Sequence, residues 1–204
     1  MIKSKIKGAL YGIAVGDALG APFEGWRPKS IRDRFGTIRN HQNFDGWTVG
    51  EFTDDTWLTL ATARAYDGNS FTPEKAALAM VIWMRNIGKG IGKLTNIALS
   101  NISSGRNDLY NSGYKALHSV GNRGASNGSL MRCISTGLVH PTQNIHIIVK
   151  ESTVLSEITH VDPKCVFSCI GYNVVVAELL GGNNISGALR KGSEIVQSNV
   201  EVSD

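Results

Sequence analysis

Apolar residues recur every three to four positions along most of the chain, which is the spacing of one helix face. This pattern predicts helices over 3–20, 53–67, 73–86, 92–103, 109–120, 128–138, 143–157, 163–180 and 185–198. No internal repeat, low-complexity tract or linker interrupts the series. We therefore predict an all-α fold in which residues 1–204 form a single domain.

The segment 163–180 differs from the other predicted helices because it is apolar on nearly every face. Asp162 and Pro163 supply a helix start, and Gly181 and Gly182 supply a stop. A helix that is apolar all round is buried. We expect this one to run through the centre of the core.

Glycines recur every fourth residue on the first predicted helix, at Gly8, Gly12, Gly16 and Gly20. Each costs a helix roughly 1 kcal/mol relative to alanine, so another backbone or a ligand is expected to come close. Tight helix packing is the simpler interpretation. The next stretch, 21–52, is predicted to be irregular, and a loop this long inside a domain is usually functional.

Composition and charge narrow the class of protein. The chain has 204 residues, 42% of them hydrophobic and 19% charged, as in ordinary soluble globular proteins. The net charge is +4, yet no run of Lys or Arg exceeds two residues. This excludes a basic nucleic-acid arm or a membrane-binding patch. A basic surface suits an anionic small molecule.

The cysteines and the first twenty residues indicate the cellular compartment of the protein. Cys133, Cys165 and Cys169 are an odd number without a framework pattern and are interpreted as buried free thiols in a reducing compartment. Zinc is not favoured, because no further Cys or His pair accompanies them. Residues 1–20 contain Gly and Asp within their apolar stretch and lack a signal cleavage site. We predict a cytoplasmic protein.

The segment "FTDDTW" places two carboxylates at a predicted helix start. Thr53 is a good N-cap residue, and Asp54 and Asp55 then lie in the first turn, where the helix dipole favours negative charge. This structural interpretation is complete for one carboxylate. The alternative is that all three side chains bind a hard cation, because oxygen ligands suit Mg²⁺, Mn²⁺ or Ca²⁺.

Two more acids flank a glycine-rich helix end in "GDALGAPFEG". Asp17 is explained equally well as a cap of the following turn. Glu24 follows a proline in an irregular segment and has no evident packing purpose. It is a candidate metal ligand or a general base for a metal-activated water.

Two further segments suggest contacts with a nucleotide. "GNRGASNGSLMR", 121–132, has backbone amides that could surround a phosphate before a helix start. Asn-Gly turns are common, so a plain turn explains it as well. His160 precedes the central helix, where it is either structural or a contact to a bound nucleotide. "IGKGIGKLT", 87–95, lacks the P-loop spacing and a preceding strand.

Taken together, these segments resemble the ADP-ribosylglycohydrolase family, which includes the dinitrogenase reductase-activating glycohydrolases. The matching blocks are "GALYGIAVGDALGAPFEG", "GEFTDDTWLTLATA", "GIGKLTNIAL", "SNGSLMR" and "EITHVDP", spread over roughly 5–180. The resemblance implies a compact, orthogonal multi-helix domain with a dinuclear Mg²⁺ (or Mn²⁺) site. It also implies hydrolysis of the glycosidic bond between ADP-ribose and a protein side chain or other acceptor.

The resemblance also implies roles for individual residues. Thr53, Asp54, Asp55 and Glu24 would be metal ligands, with the three acids also catalytic. The substrate-binding set would be Asp17, Gly92, Ser126, Asn127, Gly128, Ser129 and His160. ADP-ribose or an ADP-ribosylated protein is the expected partner.

One expected motif is missing. The family carries a second metal-binding segment, Asp-x-Asp-Thr, near its C-terminal end, whereas the acids after Asp162 are Glu178, Glu194, Glu201 and Asp204. We therefore expect an incomplete metal site in a truncated or split family member. Such a chain would be weakly active alone and would need a complementing C-terminal fragment.

Other classes of function remain open. The chain could be a non-catalytic ADP-ribose-binding module, one half of a split enzyme, or a structural remnant. A phosphohydrolase of the His-Asp type is disfavoured because no histidine precedes an aspartate. The five histidines are His41, His118, His140, His146 and His160.

Overall fold

The computed structural model describes residues 2–44, 46–68, 70–105, 109–141 and 144–203. These residues form ten α-helices, two 3₁₀ helices and one short antiparallel strand pair, so the all-α prediction is confirmed. The α-helices are α1 Ile2–Gly20, α2 Pro28–Phe35, α3 Asp54–Ala63, α4 Pro73–Asn86, α5 Lys93–Ser103, α6 Leu109–Ser119, α7 Ser135–Val139, α8 Ile145–Glu157, α9 Pro163–Gly181 and α10 Ile185–Ser203. The 3₁₀ helices are Ala21–Phe23 and Leu130–Arg132, and the strands are β1 Tyr66–Asp67 and β2 Ser70–Phe71.

The chain forms two compact units, Met1–Trp57 and Leu58–Asp204. The first unit contains α1, α2 and the start of α3. Its aromatic rings pack against each other next to α2: the centroid of Phe23 lies 5.2 Å from that of Phe35 and 6.3 Å from that of Trp26. The prediction of one domain over the whole chain stays a prediction.

The second unit is organised around α9, as predicted. This helix packs against α7, α8, α10 and the 3₁₀ helix Leu130–Arg132. It is also long and apolar enough to span a membrane. However, a core helix passes the same test, and α9 buries side chains along its length, namely Cys165, Val166, Cys169, Ile170, Asn173, Val174 and Ala177.

The predicted ends of α9 are confirmed and show why it begins and ends there. The Asp162 side chain accepts a hydrogen bond from the Lys164 amide, which satisfies one of the free N–H groups of the first turn. Gly182 follows the helix with φ +103°, a left-handed conformation that glycine adopts at low cost.

Three local predictions are wrong. The stretch 21–52 contains α2, which has Pro28 as its first residue and is followed by the C-cap residue Gly36, whose φ is +65°. Helix α3 ends at Ala63, because the chain then turns into the β1–β2 hairpin. The segment 128–138 is not one helix but a 3₁₀ turn followed by the short α7, because the Arg132 side chain turns inward and donates to the Gly128 carbonyl, 3.2 Å away.

The glycine face of α1 is also explained differently from the prediction. A Cβ atom built at Gly8, Gly12, Gly16 or Gly20 meets no atom within 4 Å in the part of the chain that the structure describes. Tight helix packing is therefore wrong as the reason for these glycines among the described residues. The cost of glycine in α1 has no packing compensation there.

Candidate functional site

Asp17 joins α1 to the start of α3. Its carboxylate accepts four hydrogen bonds: from the amide and hydroxyl of Thr53 at 2.8 and 2.7 Å, and from the amide and hydroxyl of Thr56 at 3.1 and 2.6 Å. The first amides of a helix lack intrahelical partners, so Asp17 caps α3 from another helix. The sequence suggested Thr53 as the cap, but the Thr53 hydroxyl donates to Asp17 instead.

We expect Asp17→Ala to destabilise the protein more than Asp17→Asn. Alanine removes the acceptor of all four part-buried hydrogen bonds from Thr53 and Thr56, which costs about 2–4 kcal/mol at about 0.5–1 kcal/mol for each bond. Asparagine keeps one carbonyl oxygen on the side that receives both amides. Thermal unfolding of the two variants checks this. Equal melting temperatures for Asp17→Ala and wild type would contradict the capping role.

Asp54 and Asp55 lie in the first turn of α3, as predicted. Asp54 is buried and Asp55 is partly exposed. Burial raises the pKa of Asp54 to about 7, with the charge of Asp55 as the next cause and smaller effects from Glu24 and Asp17. Burial and, after it, the charges of Asp17 and Glu24 together raise the pKa of Asp55 to about 6. These four acids, called here the carboxylate cluster, therefore repel one another.

Glu24 completes the carboxylate cluster from the end of the 3₁₀ helix Ala21–Phe23. Its side chain is exposed. Trp26 follows two residues later, is 41% exposed, and has the Arg34 guanidinium over its ring at 5.7 Å from the centroid. Glu24 is thus a solvent-accessible carboxylate beside an aromatic surface, in a position where it can exchange protons with water.

The carboxylate cluster has the donor type of a divalent-cation site. All its donors are oxygens, which is the ligand type that Mg²⁺ and Mn²⁺ prefer, and a cation would offset the mutual repulsion. Within the described ranges, however, no three His, Cys, Asp or Glu side chains converge closely enough to hold a metal ion. The chemistry of the donors fits a hard cation, while the predicted dinuclear site stays a prediction.

The second unit contains the other predicted site residues, centred on the segment from Ser126 to Ser129, called here the 126–129 loop. His160 is buried, and its Nε2 atom lies 2.9 Å from the exposed Ser126 hydroxyl. Its Nδ1 atom lies 2.7 Å from the Thr159 hydroxyl. Burial and, after it, the charge of Arg132 together lower the pKa of His160 to about 3, so the imidazole is neutral at physiological pH.

The 126–129 loop lies so close to the His160 ring that residue 128 has no room for a side chain. A Cβ atom at Gly128 would lie 2.7 Å from Cε1 and 2.9 Å from Nε2 of the ring, closer than real contacts allow. Ser129 is buried and accepts a hydrogen bond from Ser156 at 3.0 Å. Asn127 is exposed, and Gly92 is an exposed cap residue at the start of α5.

We expect Gly128→Ala to displace the loop from His160. The added methyl group overpacks the site, and overpacking costs typically about 1–3 kcal/mol. The measurement is the melting temperature, followed by ADP-ribose affinity if the protein folds. Gly8→Ala is the matched control, because its Cβ meets nothing and alanine favours the helix. A Gly128→Ala protein as stable as wild type would contradict the tight contact.

Sequence reasoning missed Arg132, which is 1% exposed. Its guanidinium donates to the carbonyls of Gly128 and Leu155 and to the hydroxyls of Thr62 and Thr159, over 2.9–3.2 Å. No carboxylate in the described part of the chain pairs with it. The available signal was a charged residue at the end of "SNGSLMR" inside an otherwise apolar run.

The three cysteines are free and buried, as predicted. Cys165 donates to the Ser126 carbonyl at 3.2 Å and Cys169 to the Ser129 hydroxyl at 3.5 Å, so thiols from α9 support the 126–129 loop. Both are the packing contacts of small apolar side chains.

The structure thus brings the predicted residues together in two sets. The first unit holds the carboxylate cluster with Thr53. The second unit holds the 126–129 loop with His160. Gly92 lies in the second unit, at the N-terminal end of α5.

Comparison with known proteins supplies a family. The chain matches the family model of the ADP-ribosylglycohydrolases over residues 1–204. It is 27% identical to ADP-ribosyl-[dinitrogen reductase] glycohydrolase of Rhodospirillum rubrum, over 96% of this chain and 64% of that protein. It is 25% identical to the uncharacterised protein YegU of Escherichia coli, over 91% of this chain and 57% of that protein. An uncharacterised protein of Archaeoglobus fulgidus is also 25% identical, over 86% of this chain and 56% of that protein.

The chain therefore spans between 56% and 64% of the length of these curated relatives.

Proposed function

Because this chain belongs to the ADP-ribosylglycohydrolase family, we propose that it acts in the hydrolysis of the glycosidic bond between ADP-ribose and a protein side chain or other acceptor. The observation that carries the proposal is the carboxylate cluster, in which burial and the neighbouring negative charges raise the pKa of Asp54 to about 7 and that of Asp55 to about 6. Acids crowded in this way are costly for folding and are typical of functional sites.

The carboxylate cluster supplies the ligands for a divalent cation. We assign Thr53, Asp54, Asp55 and Glu24 to Mg²⁺ or Mn²⁺, in line with their oxygen donors. A bound cation would lower the pKa of a coordinated water and attract the ribose hydroxyls. Asp17 acts differently: its oxygens already accept four hydrogen bonds, so it positions Asp54 and Asp55 by holding the start of α3.

Glu24 is the acid best placed to move a proton. It is the exposed member of the carboxylate cluster and can accept a proton from an attacking water. Glycoside hydrolysis passes through an oxocarbenium-like state, which neighbouring negative charge stabilises. Asp54 and Asp55 therefore favour both the cation and the developing positive charge on the sugar.

The 126–129 loop is assigned to the ADP part of the substrate. Ser126 and Asn127 are exposed and offer polar groups, while the half-buried Gly128 and the buried Ser129 and His160 support them. Gly92 is assigned to the same role because it is an exposed cap at a helix start, where anions are favoured. ADP-ribose or an ADP-ribosylated protein is the proposed partner, and the cytoplasm the proposed location.

The test is release of free ADP-ribose from an ADP-ribosylated protein. We expect release above the buffer rate with Mg²⁺, and its loss when EDTA removes the cation. Equal release with and without EDTA would contradict the assignment of the carboxylate cluster.

A second candidate is a binding module without turnover. The observation in its favour is that no three acidic, His or Cys side chains converge in the described residues, whereas the 126–129 loop and its support are well formed. This candidate predicts that ADP-ribose binds equally well with and without Mg²⁺. It also predicts no release of ADP-ribose from modified protein under either condition.

A further inference from the structure

Four polar side chains form a continuous line of hydrogen bonds in the second unit, from the core to the protein surface. Arg132 Nη2 lies 2.9 Å from Thr159 Oγ1, which lies 2.7 Å from His160 Nδ1. His160 Nε2 lies 2.9 Å from Ser126 Oγ. The first three residues are at most 1% exposed, whereas Ser126 is exposed.

The positions of the protons follow from what each group can donate. A guanidinium has donors only, so Arg132 donates to Thr159 Oγ1. The Thr159 hydroxyl then has one hydrogen of its own to place. Among the described residues, His160 Nδ1 is the acceptor in contact with it. If Nδ1 carried a proton instead, the Thr159 hydrogen would be buried without an acceptor, which folded proteins avoid.

The protonation state of the His160 imidazole determines the donor in its contact with Ser126. Burial and the Arg132 charge keep His160 neutral, so it carries one ring proton. Because Nδ1 accepts from Thr159, that proton is on Nε2 and is donated to Ser126 Oγ. The Ser126 oxygen is then an acceptor toward the protein, and its own hydrogen is available on the exposed side.

We propose that Arg132 is a positioning residue which, through Thr159 and His160, fixes the exposed Ser126 hydroxyl as a hydrogen-bond donor. Such a group selects a ligand rich in acceptor oxygens, such as a phosphate or a ribose. The identity of that ligand as ADP-ribose rests on the proposed function. The direction of the four-residue line does not.

The first test measures the tautomer of His160 without any ligand. Long-range ¹H–¹⁵N correlation spectra distinguish the protonated from the unprotonated ring nitrogen, and the spectrum of His160→Gln assigns the signals. We expect a protonated Nε2 that persists in Thr159→Ser. In Thr159→Val the hydroxyl is lost, and we expect Nδ1 to gain a share of the proton. A protonated Nδ1 in the wild type overturns the proposal.

The second test measures ADP-ribose affinity by calorimetry in a double-mutant cycle. We expect Thr159→Val and Ser126→Ala each to weaken binding about tenfold, as for the loss of one hydrogen bond to a charged ligand. Combining them should add nothing further, because both remove the same donor. Thr159→Ser should bind like wild type. Additive losses, or wild-type affinity of Thr159→Val, would overturn the role assigned to the line.

The two tests separate the inference from the function on which its ligand depends. If the wild-type protein has a protonated Nε2 but does not bind ADP-ribose, the assigned direction of the hydrogen bonds is supported and the proposed function is refuted. A wild type that binds ADP-ribose with a protonated Nδ1 refutes the line and leaves the proposed function standing. The Thr159 variants keep Arg132 in place, so a failure of Arg132 variants to fold does not affect either test.

Discussion

Replacing both Asp54 and Asp55 with asparagine stabilises the cation-free protein at neutral pH and removes its response to Mg²⁺. Asparagine has the shape of aspartate without the charge, so it relieves the repulsion within the carboxylate cluster. We expect the melting temperature at pH 8 to rise by about 5 °C relative to wild type, at about 2–4 °C per kcal/mol for a protein of this size. Millimolar Mg²⁺ should raise the melting temperature of the wild type only, because ligands stabilise the state that binds them.

The raised pKa values of Asp54 and Asp55 also predict how the stability of the protein depends on pH. The folded-state pKa values of Asp54 and Asp55, about 7 and 6, lie above the ordinary value of 3.8 that holds in the unfolded chain. The folded protein therefore binds more protons than the unfolded one between these values, and stability falls as pH rises from about 4 to about 7. The advantage of the double variant should be small at pH 4 and reach its full size above pH 7.

Asp33→Asn is the matched control, because Asp33 is an exposed acid of the same unit with Lys29 as its partner. This change should leave the Mg²⁺ response and its pH dependence unaltered. If the Asp54→Asn/Asp55→Asn protein were less stable than wild type at pH 8 without cation, the two acids would be structural helix-start residues. The cation site would then have to be abandoned.

Replacing Arg132 with methionine is expected to cause the largest loss of stability. Methionine fills a similar volume and avoids the cost of a buried charge, which lowers the Arg132 pKa to about 10. However, it removes the donor of four hydrogen bonds, three of them buried, whose acceptors belong to Gly128, Leu155, Thr62 and Thr159. Breaking such a buried network costs about 3–5 kcal/mol, so the melting temperature should fall by about 10 °C.

Arg123→Met is the control for the second prediction, because Arg123 is an exposed arginine shortly before the 126–129 loop. Its melting temperature should stay within about 2 °C of wild type, as for most surface substitutions. Differential scanning calorimetry of the three proteins decides the matter. An Arg132→Met protein that melts with the wild type would show that the core does not depend on this guanidinium.

The sequence predicted those parts of the fold whose local signals agree with their surroundings. Helix α9 was predicted within one residue at its C-terminal end, because its apolar composition, Asp162 and Gly182 all indicate the same element. Helix α2 was missed because half of its residues are charged, and only Pro28 and Gly36 marked its ends.

The parts that could not be predicted depend on contacts between distant segments. Asp17 lies 36 residues before Thr53, and nothing local shows that its carboxylate caps another helix. Arg132 looks like a surface residue at the end of a motif, yet its partners come from segments up to 70 residues away. Residue types were therefore readable from the sequence, whereas these pairings required the structure.

The carboxylate cluster could be predicted from the sequence only in part. The adjacency of Asp54 and Asp55 at a helix start was visible in the sequence and is confirmed. Burial is the main cause of both raised pKa values and depends on the fold, as does the added repulsion from Glu24 and Asp17, which arrive from α1 and the segment after it. Their roles as ligands remain a proposal that only a binding measurement can decide.

The most direct measurement is calorimetric titration of Mg²⁺ into the wild-type chain and into Asp54→Asn/Asp55→Asn at pH 8. The carboxylates of the wild type are ionised at that pH, so we expect saturable binding to the wild type and none to the double variant. Identical heats from the two proteins, or no binding to the wild type, would contradict the assignment of this cluster as the cation site.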